Sequence, residues 1–306
     1  MQGFITDPSI PGGLRLADDL PEPLPAANEV LVKVRAYSVN RGELFLLKMR
    51  PDGWRPGQDL AGVVIRAAAN GTGPAAGTRV VGLVDWECWA ERVAVPSHLA
   101  VPLPENVTFE QAASLPIAGL TALRAVRLGA SLLGRRVLIT GATGGVGQFA
   151  IQLAVAAGAR VTALVVSSER EAEAKVLGSH QVVTSLDDDA LGTFDLVLDG
   201  IGGQVLTDAV HRLAPGGTAV TYGTLGGPAP LALLDFPRGA SCAVVPLFHA
   251  YPLGTRGDDL ALLVGLVAGG RLKPLLGMVR DWRETLTVLD ALRERRVRGK
   301  AVLTRS

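Results

Sequence analysis

Residues 135 to 158 constrain this chain more than any other stretch. Val137 to Thr140 form a short apolar run rich in β-formers and a glycine cluster follows. From Gly145 the apolar residues Val146, Phe149, Ala150 and Leu153 return at helical spacing. The pattern predicts a strand, a tight turn and a helix. Within it, Ala142-x-Gly144-x-x-Gly147 is a dinucleotide-binding fingerprint with alanine in its first place, which predicts a slightly less permissive turn than glycine would give. Backbone amides and the positive end of the helix then face outward, where the missing side chain of Gly144 leaves room for a pyrophosphate. A purely structural strand-helix turn is the competing reading.

The rest of the composition narrows the class. A chain of 306 residues with an apolar fraction of 48% supports two cores, and a net charge of +1 supplies no global field to attract nucleic acid or an anionic membrane. Leu260 to Ala268 is too short to span a bilayer, and the N-terminus lacks a basic flank followed by an apolar segment, so a cytoplasmic protein is expected. Cys88 and Cys242 are too few and too scattered for a disulfide framework or a structural zinc site.

Residues 1 to about 115 read as an all-β body, with strand-like runs at Val30 to Ala36, Leu60 to Ala67, Arg79 to Val84 and Glu91 to Val95. Asn70 to Gly77 separates two of them as an explicit turn, and Thr108-x-x-Gln111 resembles a capping box opening a helix. From about residue 117 strands and helices alternate, which predicts an α/β doubly wound parallel sheet. Its strands are expected at Val137 to Thr140, Val161 to Val166, Phe194 to Leu198 and Thr218 to Tyr222, with a last, edge strand at Val244 to Phe248. An amphipathic helix over Gln204 to Leu213 should stop at Pro215-Gly-Gly217, and two more helices should follow Asp258 and Asp281.

Val30 to Ala36 leading to Val39-Asn40-x-x-Glu43, Pro56 to Gly62, Gly77-x-Arg-Val-Val-Gly82, Ala112 to Ala122, the fingerprint itself, and the closing Gly299-Lys-Ala-Val-Leu303 follow one another in this order. Together these stretches resemble the medium-chain dehydrogenase/reductase superfamily, and within it the zinc-independent quinone oxidoreductase group that includes ζ-crystallin. The resemblance implies a GroES-like β domain over residues 1–116, a Rossmann NADP-binding domain over 117–255, and C-terminal helices and a strand over 256–306 that return to the first domain. It would also place substrate in a cleft between domains. The zinc-dependent branch carries a Cys near residues 37 to 40 and Gly-His-Glu at the next strand. Here those positions read Tyr37-Ser-Val-Asn40 and Gly57-Gln58-Asp59, so no metal is expected.

An NAD-specific site usually carries an acidic residue at the end of its second strand. Here Val165 and Val166 hold that position, followed by Ser167, Ser168, Glu169 and Arg170. Two hydroxyls and a guanidinium suit the adenosine 2′-phosphate, and Arg170 matches the basic residue of related reductases, so NADP(H) is expected. Glu169 argues the other way, and a solvated helix start is the plain alternative.

The resemblance assigns Asn40 to the nicotinamide and substrate; a turn-forming Asn beside Gly42 is the alternative. Tyr37 is a candidate donor to a substrate oxygen or a packing residue. Thr121, Thr143, Gly144, Gly145, Val146, Gly147, Gly223 and Thr224 are expected to contact the cofactor, and Asp199 to Gly202 to form another strand end facing it. The related enoyl-thioester reductases carry a Tyr in the segment here read as Leu44 to Trp54, which has none, so an acyl thioester is less supported. Phe45, Trp54, Trp86 and Trp89 are candidates for an aromatic pocket for a flat quinone or enone, with core or rim filler as the alternative. His249 and Tyr251 are candidate acids at the substrate site, and Arg293 to Arg298 reads as a solvated helix end rather than a nucleic-acid site.

The expectation is an NADPH-dependent, metal-free oxidoreductase delivering hydride to a quinone or α,β-unsaturated carbonyl, with no nucleic-acid or membrane partner. A homodimer through the apolar run Ser241 to Phe248 is expected. A tailoring enoyl or ketone reductase of specialised metabolism, and a non-enzymatic NADP-binding sensor, are the alternatives.

Overall fold

The computed structural model describes residues 1–244 and 254–305. In chain order the strands and helices are β1 (Gly3–Thr6), β2 (Leu14–Ala17), β3 (Glu29–Val39), α1 (Arg41–Met49), β4 (Asp59–Arg66), β5 (Arg79–Leu83), β6 (Arg92–Pro96), β7 (Ala100–Pro102), α2 (Phe109–Ala113) and α3 (Pro116–Arg127). There follow β8 (Arg136–Thr140), α4 (Gly147–Ala156), β9 (Arg160–Leu164), α5 (Glu171–Val176), β10 (Gln181–Val183), β11 (Phe194–Asp199), α6 (Gly203–His211), β12 (Leu213–Thr221) and β13 (Ser241–Val244). The chain closes with α7 (Gly254–Ala268), β14 (Leu276–Asp281), α8 (Thr285–Arg293) and β15 (Lys300–Thr304). Two compact units result, one of Met1–Leu120 with Pro252–Ser306 and one of Thr121–Tyr251.

The first unit is built on a seven-stranded sheet in the order β14-β15-β3-β4-β5-β7, with β6 also paired to β3. Its core gathers Val30, Val32 and Val34 of β3 with Leu60, Val64, Val80, Trp89 and Trp282. The C-terminal strand β15 pairs antiparallel with β3, setting Ala301 opposite Val39. This body is not all-β, because α1 follows β3 directly. The start of α1 was open to reading as a turn beside Gly42. The Glu43 carboxylate instead accepts the Asn40 N–H at 2.7 Å, which caps a helix whose Leu44 and Leu47 are buried. The box at Thr108 forms as expected, with Thr108 Oγ1 accepting from the Gln111 N–H at 3.2 Å and Gln111 Oε1 accepting from the Thr108 N–H at 3.0 Å.

The second unit is a six-stranded, all-parallel sheet in the order β10-β9-β8-β11-β12-β13. Continuous apolar strands follow from coverage on both faces: Val137, Leu138, Ile139, Val161, Ala163, Val197, Leu198, Ala219 and Val220 are all buried. The order reverses direction between β8 and β11, the switch point at which open α/β sheets bind ligands.

Local boundaries differ from the sequence expectations for identifiable reasons. β9 stops at Leu164, and Val166 is 78% exposed, so the apolar run overshoots the strand. α6 already ends at His211, and Pro215 to Gly217 lies inside β12, where the register with β11 shifts between Phe194 and Leu196 and the irregularity accommodates the proline. The last strand of the sheet is Ser241–Val244, at its edge, and the rest of the expected Val244 to Phe248 run lies outside the described residues. Strand β14 had no counterpart in the sequence reading. Among the described residues no helix is long and apolar enough to cross a membrane.

Candidate functional site

The turn after β8 is built by two glycines. Gly141, not Ala142, takes the left-handed conformation with φ +60°, so alanine in the first fingerprint place adds no strain. Ala142 is instead fully buried. Gly147 opens α4 so close to the turn that a Cβ there would stand 2.4 Å from the Gly141 carbonyl oxygen and 2.6 Å from that of Ala142.

These residues fit a dinucleotide. Val146 caps α4 without any side-chain hydrogen bond, and among the described residues no backbone acceptor meets the amides of Gly145 and Val146. The position of a Cβ on Gly144 meets only the Gly141 oxygen, at 3.0 Å. An uncapped helix start with open amides and no side chain in front is the arrangement that holds a pyrophosphate. Thr143 is buried beside this turn, and Thr121 is buried within α3.

The carboxyl ends of β8, β11 and β12 are tied together by Asp199, which is fully buried. Its Oδ1 accepts from Thr140 Oγ1 at 2.6 Å and the Ile201 N–H at 3.2 Å, and its Oδ2 accepts from the Gly202 N–H and Thr221 Oγ1, both at 2.9 Å. Asp199 is therefore the organiser of this edge, its oxygens filled by the protein. Gly223 and Thr224 follow β12 after Tyr222, Thr224 being exposed.

The residues that follow β9 are Val165 and Val166, neither of them acidic. Ser167 and Arg170 are half-buried and Ser168 and Glu169 exposed, over a short 3-10 turn at Ser168–Arg170 in which the Ser167 carbonyl accepts the Arg170 N–H at 3.0 Å.

In the first unit a second polar cluster surrounds Asp59, which is fully buried at the start of β4. Its Oδ2 accepts from Ser38 Oγ at 2.6 Å and Asn40 Nδ2 at 2.9 Å, with Lys300 Nζ at 3.4 Å, and its Oδ1 accepts from the Ile117 N–H at 2.9 Å. Lys300 Nζ also donates to Asn40 Oδ1 at 2.6 Å and to the Val39 carbonyl at 3.2 Å. Glu43 is buried beside them, and its carboxyl is pushed up to about 8, first by burial and then by the charge of Asp59. Gln58, in the other residue position where zinc-dependent relatives carry a ligand, keeps its Nε2 buried with no partner among the described residues.

This cluster does not fit a zinc ion. At the positions where zinc-dependent relatives carry ligands Asn40 and Gln58 offer amides, and the Asp59 carboxylate is filled by four donors, one of them cationic. Among the described residues no group of three or more His, Cys, Asp or Glu side chains is placed to hold a metal.

Two of the aromatic candidates lie in the core of the first unit. Tyr37 is buried, stacked on Trp89 at 5.7 Å between ring centroids, and its hydroxyl stands 2.6 Å from Thr285 Oγ1. Burial holds the phenol well above its ordinary pKa, and its protonated hydroxyl is engaged with Thr285 inside the core. Trp89 is likewise core, at 1% exposure. Trp54 and Trp86 do come together, edge to face at 5.0 Å, both half-buried, with the Arg50 guanidinium 5.3 and 5.2 Å above their rings. Phe45 projects from α1 with 64% exposure and makes no ring contact among the described residues. His249 and Tyr251 lie outside the described residues.

The alcohol dehydrogenase GroES-like domain family matches residues 26–105, and the zinc-binding dehydrogenase family matches residues 145–243. The spectinabilin polyketide synthase system protein NorB of Streptomyces orinoci is 33% identical over 311 residues, which cover 96% of this chain and 14% of that protein. The chain spans between 5% and 14% of the length of the polyketide synthases it matches. Among solved structures, the quinone oxidoreductase from Coxiella burnetii superimposes with a TM-score of 0.85 at 28% identity, covering 100% of this chain and 99% of that one. A mycobacterial protein complexed with NADPH superimposes with a TM-score of 0.87 at 26% identity, covering 100% of both chains.

Proposed function

The chain belongs to the medium-chain dehydrogenase/reductase superfamily of oxidoreductases, and from that premise we propose that it is an NADPH-dependent, zinc-independent reductase of quinones or α,β-unsaturated carbonyls. The observation that carries the reading is the cluster around Asp59: Asn40 and Gln58 put amides in the segments where zinc-dependent relatives carry their ligands, and the Lys300 ammonium, arriving from β15, bonds Asn40 and Asp59 there. Without a Lewis acid to stabilise an alkoxide, a polarised acceptor such as an enone or quinone is the substrate class this chemistry suits.

In this reading the amides of Gly145, Val146 and Gly147 and the open face of Gly144 hold the pyrophosphate, with Thr121, Thr143, Gly223 and Thr224 along the rest of the cofactor. Ser167, Ser168 and Arg170 receive the 2′-phosphate, favoured by the absence of an acid at the end of β9. The bound reduced nicotinamide supplies the hydride. Asn40 donates its remaining Nδ2 hydrogen toward the reacting groups, and Phe45, Trp54 and Trp86 contribute aromatic surface to the acceptor. Pairing of two chains through the edge strand β13 completes the proposal.

The NorB relationship favours a second reading, a tailoring enoyl or ketone reductase of specialised metabolism. Thermal stabilisation by NADPH and NADH side by side, followed by loss of reduced-nicotinamide absorbance with quinones, enones and acyl thioesters, tests both. Stabilisation by NADPH with turnover of quinones or simple enones supports the first reading, and turnover of thioesters alone supports the second. Stabilisation without turnover of any acceptor leaves a nucleotide-binding sensor, and stabilisation by neither nucleotide overturns all three.

A further inference from the structure

Lys300 enters the Asp59 cluster from the last strand of the chain, 260 residues beyond Asn40. The pairing of β15 with β3 puts its neighbour Ala301 opposite Val39, so the sheet register delivers the ammonium to the end of β3. There its side chain is 3% exposed, and three oxygens, Asn40 Oδ1, the Val39 carbonyl and Asp59 Oδ2, lie around its three hydrogens.

We propose that Lys300 is a positioning residue that fixes which way the Asn40 carboxamide faces, a fixed positive charge serving the segments in which zinc-dependent relatives bind a metal. The inference rests on the assignment of Asn40 made under the proposed function. The two ends of that amide meet opposite charges: its oxygen faces the Lys300 ammonium at 2.6 Å and its nitrogen faces the Asp59 carboxylate at 2.9 Å. Turning the amide over would set NH2 against an ammonium and C=O against a carboxylate, two repulsive contacts in place of two charge-assisted bonds. One orientation remains, and it leaves one N–H of Asn40 for a ligand. Neither Asp59 nor Lys300 needs to touch that ligand.

The test reads the amide directly. In the full chain labelled with nitrogen-15 asparagine, the side-chain signal of Asn40 is identified by its loss in Asn40→Ala, leaving those of Asn28, Asn70 and Asn106. Lys300→Met is expected to shift or broaden the Asn40 pair alone. With quinone and NADPH it should lower kcat by about tenfold or more, the value of a charge-assisted hydrogen bond, at an unchanged KM for NADPH. Added to Asn40→Ala it should cost nothing further, because Lys300 acts through that side chain. An unchanged Asn40 signal, or losses that multiply, would overturn the proposal. Should Lys300→Met not fold, the wild-type chain labelled in lysine should show one ammonium signal protected from exchange, coupled to the Asn40 carbonyl group. Absence of such a signal overturns the proposal equally. A wild-type chain without turnover but with the expected Asn40 shift would refute the functional reading and leave the positioning role standing.

Discussion

The hydroxyl of Tyr37 stands 2.6 Å from that of Thr285, 248 residues later in the chain, and Thr285 in turn donates to the Trp282 carbonyl. Tyr37 therefore donates and Thr285 accepts, which closes the pair inside the core of the first unit. Tyr37→Phe should cost about 1 kcal/mol of stability, one neutral hydrogen bond, and leave kcat unchanged. Urea denaturation and steady-state kinetics check both. A loss of about a hundredfold in kcat would restore Tyr37 to the chemistry.

Glu43 predicts a pH dependence. Its ordinary value is 4.5 and burial with the neighbouring Asp59 charge raises it to about 8 in the folded chain. Below the ordinary value both states hold the proton and nothing changes. Between the two values the unfolded state releases the proton and the folded state keeps it, so stability falls as pH rises; above about 8 the cost is constant. Glu43→Gln keeps an acceptor for the Asn40 N–H and removes the titration. Its advantage over wild type should grow by up to about 1.4 kcal/mol per pH unit through that window. Tryptophan fluorescence suits the measurement, since Trp54, Trp86, Trp89 and Trp282 all lie in the first unit. Parallel stability curves for the two proteins would rule the account out.

Gly147→Ala places a methyl 2.4 Å from the Gly141 oxygen. Backbone must give way, at a cost of about 1–3 kcal/mol, and the turn that should receive the pyrophosphate is distorted. The variant should fold with a lowered melting temperature and lose its stabilisation by NADPH. Retained stabilisation would remove this turn from the nucleotide site.

Asp199→Asn leaves two of the four donors now aimed at the carboxylate facing an NH2 group. A loss of about 3 kcal/mol or more is expected. Hydrogen exchange at β8 and β11 measures it, because the tryptophans do not report on the second unit. A loss under about 0.5 kcal/mol would show that these strand ends do not depend on the charge.

Arg170→Ala should weaken NADPH by roughly ten- to a hundredfold and leave NADH unaffected, the signature of one charge-assisted contact to the 2′-phosphate. Equal effects on both nucleotides would take Arg170 out of that site.

What the amino-acid order determined by itself is local. The run Val137 to Thr140, the glycines of the turn and the helical spacing from Val146 specify strand, turn and helix within a dozen residues, because β-branched packing, left-handed backbone and amphipathic period are all short-range properties. The parallel sheet was legible for the same reason, as uninterrupted apolar runs. The helix start at Asn40 was not read from the sequence, where Gly42 beside it suggested a turn; only the folded backbone, in which Glu43 accepts the Asn40 N–H, shows it. The side-chain partners were decided by tertiary structure alone. Whether Tyr37 meets substrate or Thr285, whether Asp199 faces a ligand or four protein donors, and that Lys300 reaches Asn40 and Asp59, all depend on sheet register between segments far apart in sequence. A slip of one residue in β15 would turn Lys300 to the opposite face, and no local signal encodes that register.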